Sequence, residues 1–137
     1  MLDASVALSW CFQDEASAYA DQILHLFAEG AEAHVPAIWP FEVCNALVIA
    51  ERRNRIGVAG STYWLNRIAG LQIVTSPLSH LRETAEPFSI AREYGLTIYD
   101  AAYLELAHRS DLPLATIDRK LQAAARRAGI PTDVSSR

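Results

Sequence analysis

The chain of 137 residues is 51% hydrophobic and 20% charged, which is typical of one globular domain and not of a disordered chain. No apolar run reaches the ~20 residues that a membrane-spanning helix needs, and no basic region followed by an apolar stretch marks a signal peptide. The formal net charge of −4 argues at first against a nucleic-acid partner, but the 12 basic residues balance 12 of the 16 acids if the other four form a metal site.

The first half of the chain alternates short apolar runs with helical patterns. Residues 1–3 predict the end of a very short strand, and the apolar residues 5–12 predict a short helix. A helix is predicted over residues 14–29, because apolar residues recur there at a four-residue spacing and a glycine follows as a stop signal. Residues 34–38 predict a buried strand, and residues 40–55 predict a helix that begins with proline and ends in a basic run.

The second half repeats this alternation, which favours an α/β fold with a mainly parallel sheet in one domain over residues 1–137. The predicted elements are a helix over 61–69, a strand over 71–75, a helix over 79–94 with a kink or break at Pro87, a helix over 100–109, a strand over 114–117, a helix over 119–128 and a last strand over 130–134, before a frayed end at 135–137.

Four acidic residues have positions typical of a functional site in such a fold, where sites form at the carboxyl ends of the strands. Asp3 follows the first strand, Asp118 follows the strand over 114–117, and Asp100 begins a helix. Glu42 lies in the first turn of the helix after the second strand. Each position also has a structural interpretation, since Asp is a common N-cap and Glu favours the first turn of a helix.

Taken together, the four acids favour a cation site over the interpretation as four separate helix caps. Carboxylates that meet at one edge of a sheet repel one another unless a cation neutralises them. Mg²⁺ prefers a few carboxylate oxygens, water and substrate phosphate. We therefore expect a magnesium site at this edge of the sheet.

Four segments resemble the signature segments of PIN-domain nucleases and, more narrowly, of VapC-type toxins of toxin–antitoxin pairs. They are LDASVALSW, PAIWPFEVCNAL, LTIYDAAYLELA and LATIDRKL, and they follow one another in the family's order over essentially the whole chain. The resemblance implies a three-layer α/β/α sandwich and a cytoplasmic, Mg²⁺-dependent endoribonuclease, with Mn²⁺ as a second candidate ion. It also implies an RNA substrate, a cognate VapB-type antitoxin as partner, a homodimer and no membrane association.

The resemblance also implies roles for individual residues. The family's acidic quartet falls on four residues of this sequence, with two expected as direct metal ligands and two that complete the shell or hold water. The direct ligands are Asp3 and Asp100, and the completing pair is Glu42 and Asp118, for which binding of a second ion is the alternative. The accompanying polar residues are Thr116, Ser5 and Asn45. One departure is the N-terminus, where only two residues precede Asp3. The first strand is therefore expected to be a stub, or the start codon has been placed too late.

The remaining features leave alternatives open. The basic residues in 52–55 predict either RNA phosphate contacts or a solvated helix end, and residues 41–69 carry the apolar content expected of the dimer contact. Cys11 and Cys44 show no CxxC spacing and predict two buried, reduced thiols. A catalytically silent binding domain is the alternative function. A phosphoryl-transfer or receiver domain is disfavoured, because such proteins need a lysine beside their nucleophilic aspartate. The only lysine here, Lys120, lies two residues after Asp118 and not at the end of a separate strand.

Overall fold

The computed structural model describes residues 1–134, which fold into a three-layer α/β/α sandwich around a short parallel sheet. The predicted fold class is confirmed. This part of the chain has two strands, β1 (Ala33–Pro36) and β2 (Ile73–Ser76), and 3₁₀ turns at Gln13–Glu15 and Leu81–Thr84. Its α-helices are α1 (Ala4–Cys11), α2 (Ala18–Ala28), α3 (Trp39–Arg52), α4 (Val58–Ala69), α5 (Ala85–Tyr94), α6 (Ile98–Arg109) and α7 (Arg119–Arg127).

The sheet is wider than its two regular strands. β1 and β2 pair in parallel over their full length, with Ala33 opposite Ile73. On the other side of β1, the backbone N–H of Leu2 donates to the His34 carbonyl at 3.0 Å, and Leu2 forms a parallel bridge with Ala115. The predicted strands at residues 1–3 and 114–117 are therefore reduced to one bridge, but they lie where the sheet requires them.

Helix α1 runs through the interior of the molecule rather than along its surface. Ala4, Val6, Ala7, Trp10 and Cys11 are all buried, which agrees with a helix that is apolar on most sides. The residue before α1 is Asp3, and its backbone N–H donates to the carbonyl of a neighbouring sheet segment. The apolar helix and the sheet together hold this carboxylate inside the protein.

Several helix predictions need correction: the helix predicted over 61–69 begins at Val58, and the one predicted over 40–55 ends at Arg52. The helix predicted over residues 14–29 begins only at Ala18, after a separate 3₁₀ turn. The helix predicted over 79–94 begins at Ala85, so Pro87 lies in its first turn and does not break it. Proline is tolerated there because the first N–H groups of a helix have no partner within the helix. No helix within residues 1–134 is long and apolar enough to cross a membrane.

Three smaller predictions concern the last strand, the cysteines and the C-terminal end. Residues 130–134 form no regular strand, although the Leu114 N–H donates to the Pro131 carbonyl at 2.8 Å. Cys11 is buried as predicted, but Cys44 is exposed, because the buried side of α3 is formed by other residues such as Val43 and Leu47. The predicted frayed end at residues 135–137 lies outside the described residues.

Candidate active site

Asp3 is a buried carboxylate held by two hydroxyl groups. Its side chain is 6% exposed, and its Oδ2 accepts hydrogen bonds from Ser5 Oγ and from Thr116 Oγ1, the latter at 2.6 Å. Burial raises the pKa of Asp3, and the hydrogen bonds from the two hydroxyls oppose that rise. The negative charge of Asp100 raises the same pKa further, so these two carboxylates are electrostatic neighbours.

The two hydroxyls connect Asp3 to the start of α7. Ser5 Oγ accepts a hydrogen bond from the Ile117 N–H at 3.2 Å, and Thr116 Oγ1 accepts one from the Asp118 N–H at 3.1 Å. Thr116 is fully buried, so its hydroxyl must find its partners within the protein. This network fixes the first acid and the backbone of the last acid relative to each other.

Glu42 is tied to α6 through a tyrosine. The Tyr103 hydroxyl donates to Glu42 Oε2, and the tyrosine side chain is fully buried while the glutamate is half-buried. Burial raises the pKa of Glu42, and the tyrosine hydroxyl partly offsets this effect. The charges of Asp3 and Asp100 raise it again. The charges of two acids from other parts of the chain therefore act on the Glu42 carboxylate.

Asp100 is not the N-cap of its helix. The N-cap of α6 is Thr97, whose Oγ1 accepts from the Asp100 N–H at 3.1 Å and donates to Asp100 Oδ2 at 2.8 Å. The structure thus contradicts the simple capping interpretation of this aspartate. Its half-buried side chain is held in the first turn of α6, on the side of the other acids whose pKa values it raises.

Asp118 and Asn45 are placed differently from the other predicted residues. Asp118 is exposed and caps α7, accepting a hydrogen bond from the Leu121 N–H at 2.8 Å. Asn45 is exposed on α3, and no hydrogen bond joins it to Glu42 in the described part of the chain. Within residues 1–134, no three His, Cys, Asp or Glu side chains converge as a ready metal-ligand shell.

The comparisons with known proteins assign the family. Residues 1–127 match the model of the PIN domain. The chain belongs to the PIN domain family. It is similar to Ribonuclease VapC3 of Pyrobaculum aerophilum, with 26% identity over 121 residues that cover 88% of this chain and 90% of that protein. It is also similar to the crystal structure of PAE2754 from Pyrobaculum aerophilum, with a TM-score of 0.66, 27% identity and coverage of 90% of this chain and 83% of that chain.

Sequence reasoning missed one residue of this PIN domain site. Tyr103 was not predicted to take part, yet it holds Glu42. The sequence feature that could have indicated it is its position three residues after Asp100, because residues three apart share a face of a helix. A buried tyrosine hydroxyl needs an acceptor, and the nearest face of α3 supplies a carboxylate.

The donor set of this PIN domain fits a hard divalent cation. The ion pairs of residues 1–134 include none of the three acids Asp3, Glu42 and Asp100. Mg²⁺ usually keeps several waters and binds through one or two carboxylates together with substrate phosphate. A complete protein cage of three or more ligands is therefore not required, and the uncompensated negative charge favours a cation.

We expect the buried acids to destabilise the metal-free PIN domain at neutral pH. Because burial raises the pKa of Asp3, the folded state holds a proton above about pH 4 that the unfolded state releases. The free energy of unfolding therefore falls as pH rises from there through the folded-state pKa. In EDTA, the thermal midpoint of Asp3→Asn should exceed that of the wild type by more at pH 7 than at pH 5. Taking the difference cancels the titrating groups that do not interact with Asp3, and Glu42, whose pKa the charge of Asp3 raises, adds to the difference in the same direction. A difference that is constant or shrinks with pH would contradict the argument.

Proposed function

We propose that this PIN domain is a metal-dependent endoribonuclease that hydrolyses RNA phosphodiester bonds and acts as the toxin of a toxin–antitoxin pair. The observation that carries the proposal is a group of three acids without a basic partner in the ion pairs of residues 1–134: the charge of Asp100 raises the pKa values of Asp3 and Glu42, and the charge of Asp3 also raises that of Glu42. The similarity to a protein named Ribonuclease VapC3 supports RNA as the substrate.

In this proposal, Asp3 and Asp100 would hold Mg²⁺ or Mn²⁺, and Glu42 and Asp118 would complete the shell or hold water. Such an ion, when bound, offsets phosphate charge and lowers the pKa of a bound water. Support comes from Asp3 and Glu42, which follow the bridged residue Leu2 and strand β1, because sites in parallel sheets form at the carboxyl ends of strands.

The remaining residues of the site act by holding the acids in place. Thr116 and Ser5 donate to one oxygen of Asp3, which limits the directions in which the carboxylate can present its other oxygen. Tyr103 holds Glu42 from the same face of α6 that carries Asp100. Groups of this kind orient ligands and are expected to affect metal affinity without touching the substrate.

The test is cleavage of a labelled RNA by the purified protein in EDTA, in Mg²⁺ and in Mn²⁺. We expect no cleavage in EDTA and restored cleavage when either ion is supplied in excess, because the acids repel phosphate until a cation is bound. Full cleavage in excess chelator would rule out the metal-dependent reaction. RNA that is bound but left intact with both ions would support the alternative, a catalytically silent binding domain.

The proposed partners are a VapB-type antitoxin and a second copy of the chain, and the proposed role implies a cytoplasmic location. Support for a protein contact comes from the number of large apolar side chains that are exposed on α3 and α4, since a protein contact would remove their apolar surface from water. These residues are Phe41, Val48, Ile49, Val58, Tyr63 and Leu65. They fall within residues 41–69, where the dimer contact is predicted.

A further inference from the structure

Helix α7 carries a face of uniform positive charge. It contains four basic residues and no acidic one. At 100° per residue, Arg119, Lys120, Arg126 and Arg127 fall within an arc of about 120° on the helix surface. These four residues form the basic face of α7.

The basic face points away from the core because the other side of α7 anchors the helix. Leu121, Ala124 and Ala125 are 1%, 3% and 0% exposed, whereas all four basic residues are exposed. None of the ion pairs described for residues 1–134 includes a residue of the basic face. The guanidinium of Arg127 lies over the Tyr94 ring, 4.9 Å from its centre, so one cation is held in place without being neutralised.

The basic face begins at the candidate active site. Helix α7 follows directly after Asp118, whose N–H donates to the same Thr116 hydroxyl that donates to Asp3. From this end, the two cation pairs of the basic face lie about 10 Å apart along the helix axis. A chain-like ligand bound along the basic face would therefore have one end next to the acids.

The charges indicate which ligand this face suits. The chain has a net charge of −4 and a group of acids that repels phosphate, so an anionic strand needs cations beside the site to approach it. The other basic cluster predicted for this role is partly committed elsewhere, because Arg55 binds Asp14 and Glu15 at 2.7 Å each. Arginine forks suit phosphate oxygens, and three of the four residues of the basic face are arginines.

We propose that the basic face of α7 binds the phosphates of a single-stranded RNA segment next to the bond that is cleaved. The inference rests on the proposed ribonuclease function and adds to it the surface that holds the substrate. One short row of cations can follow one backbone, and its two pairs can engage different phosphates of the same strand. Such binding reads charge and spacing, so it positions RNA without selecting its sequence.

The experiment measures binding of a short fluorescein-labelled oligouridylate by anisotropy in EDTA, at about 50 to 200 mM NaCl. For single strands, the slope of log affinity against log salt is about −0.7 per phosphate contact. Arg126→Gln/Arg127→Gln should therefore make the slope shallower by about 1.4. Arg119→Gln/Lys120→Gln should give a similar loss, and thermal melts establish that both variants fold.

The matched control is Arg52→Gln/Arg53→Gln, which makes the same change of charge at the end of α3. An equal loss of slope in this control, or no loss in either α7 variant, would overturn the proposal. An oligoglutamate that binds as tightly and with the same dependence on the basic face would assign α7 to an acidic protein segment instead. Cleavage assays separate the two claims. RNA that is bound through α7 but never cleaved refutes the ribonuclease, whereas cleavage with unchanged slopes refutes the basic face.

Discussion

Replacing Asp100 with Asn is expected to lower the rate of RNA cleavage by orders of magnitude while the protein stays folded. Metal stabilisation of the transition state is worth several kcal/mol, and about 1.4 kcal/mol corresponds to a factor of ten in rate. Asn has the same size, and its carbonyl can still accept the hydrogen bond that Thr97 donates to Asp100 Oδ2. In EDTA the thermal midpoint should be unchanged or slightly higher, because one of the repelling charges that raise the pKa of Asp3 and Glu42 is gone.

The same variant tests whether Asp100 binds the ion. A ligand that binds only the folded state stabilises it by mass action, so the rise in thermal midpoint on adding Mg²⁺ should be smaller in Asp100→Asn than in the wild type. Glu105→Gln is the matched control, since it removes the same charge from α6 at a residue paired with Arg109 at 2.8 Å. Normal cleavage together with a normal Mg²⁺ shift in Asp100→Asn would remove this residue from the site.

Thr116→Val is expected to affect both stability and activity. Valine fills the space of threonine but removes the hydroxyl that donates to Asp3 at 2.6 Å and accepts from the Asp118 N–H at 3.1 Å. A buried group left without its partner costs about 1–3 kcal/mol, so denaturant melts should show a loss of that size. Since Thr116 orients a proposed ligand, metal affinity or the cleavage rate should fall by about 10–100-fold.

Thr116→Ser separates the hydroxyl from the shape of the side chain. Serine keeps the donor and the acceptor and loses only a methyl group, so metal affinity and cleavage should remain close to those of the wild type. The proposed role of Thr116 would be refuted if the serine variant were as defective in metal binding as the valine variant. A valine variant with normal metal titration and normal cleavage would show that Asp3 does not need this donor.

The sequence by itself determined the features that depend on neighbours along the chain. Alternating apolar runs and helical patterns identified the parallel α/β fold, and the order of the four signature segments identified the family that the PIN domain match confirms. Local rules also set several helix ends. Gly30, with φ at 93°, ends the segment after α2, and Pro40 lies at the start of α3. These rules succeed because a cap or a stop signal acts within one turn of helix.

Only the tertiary structure decided how the acids are held. Thr116 and Asp3 are 113 positions apart, and Tyr103 and Glu42 are 61 positions apart, so no local pattern reports their hydrogen bonds. The raised pKa values of Asp3 and Glu42 come first from burial, which depends on how helices pack over the sheet. Total charge was equally uninformative about local charge, because the net value of −4 averages a group of acids with the basic face of α7. Folding separates these charges in space, so a protein with a negative net charge still presents cations to the phosphates of the proposed RNA substrate.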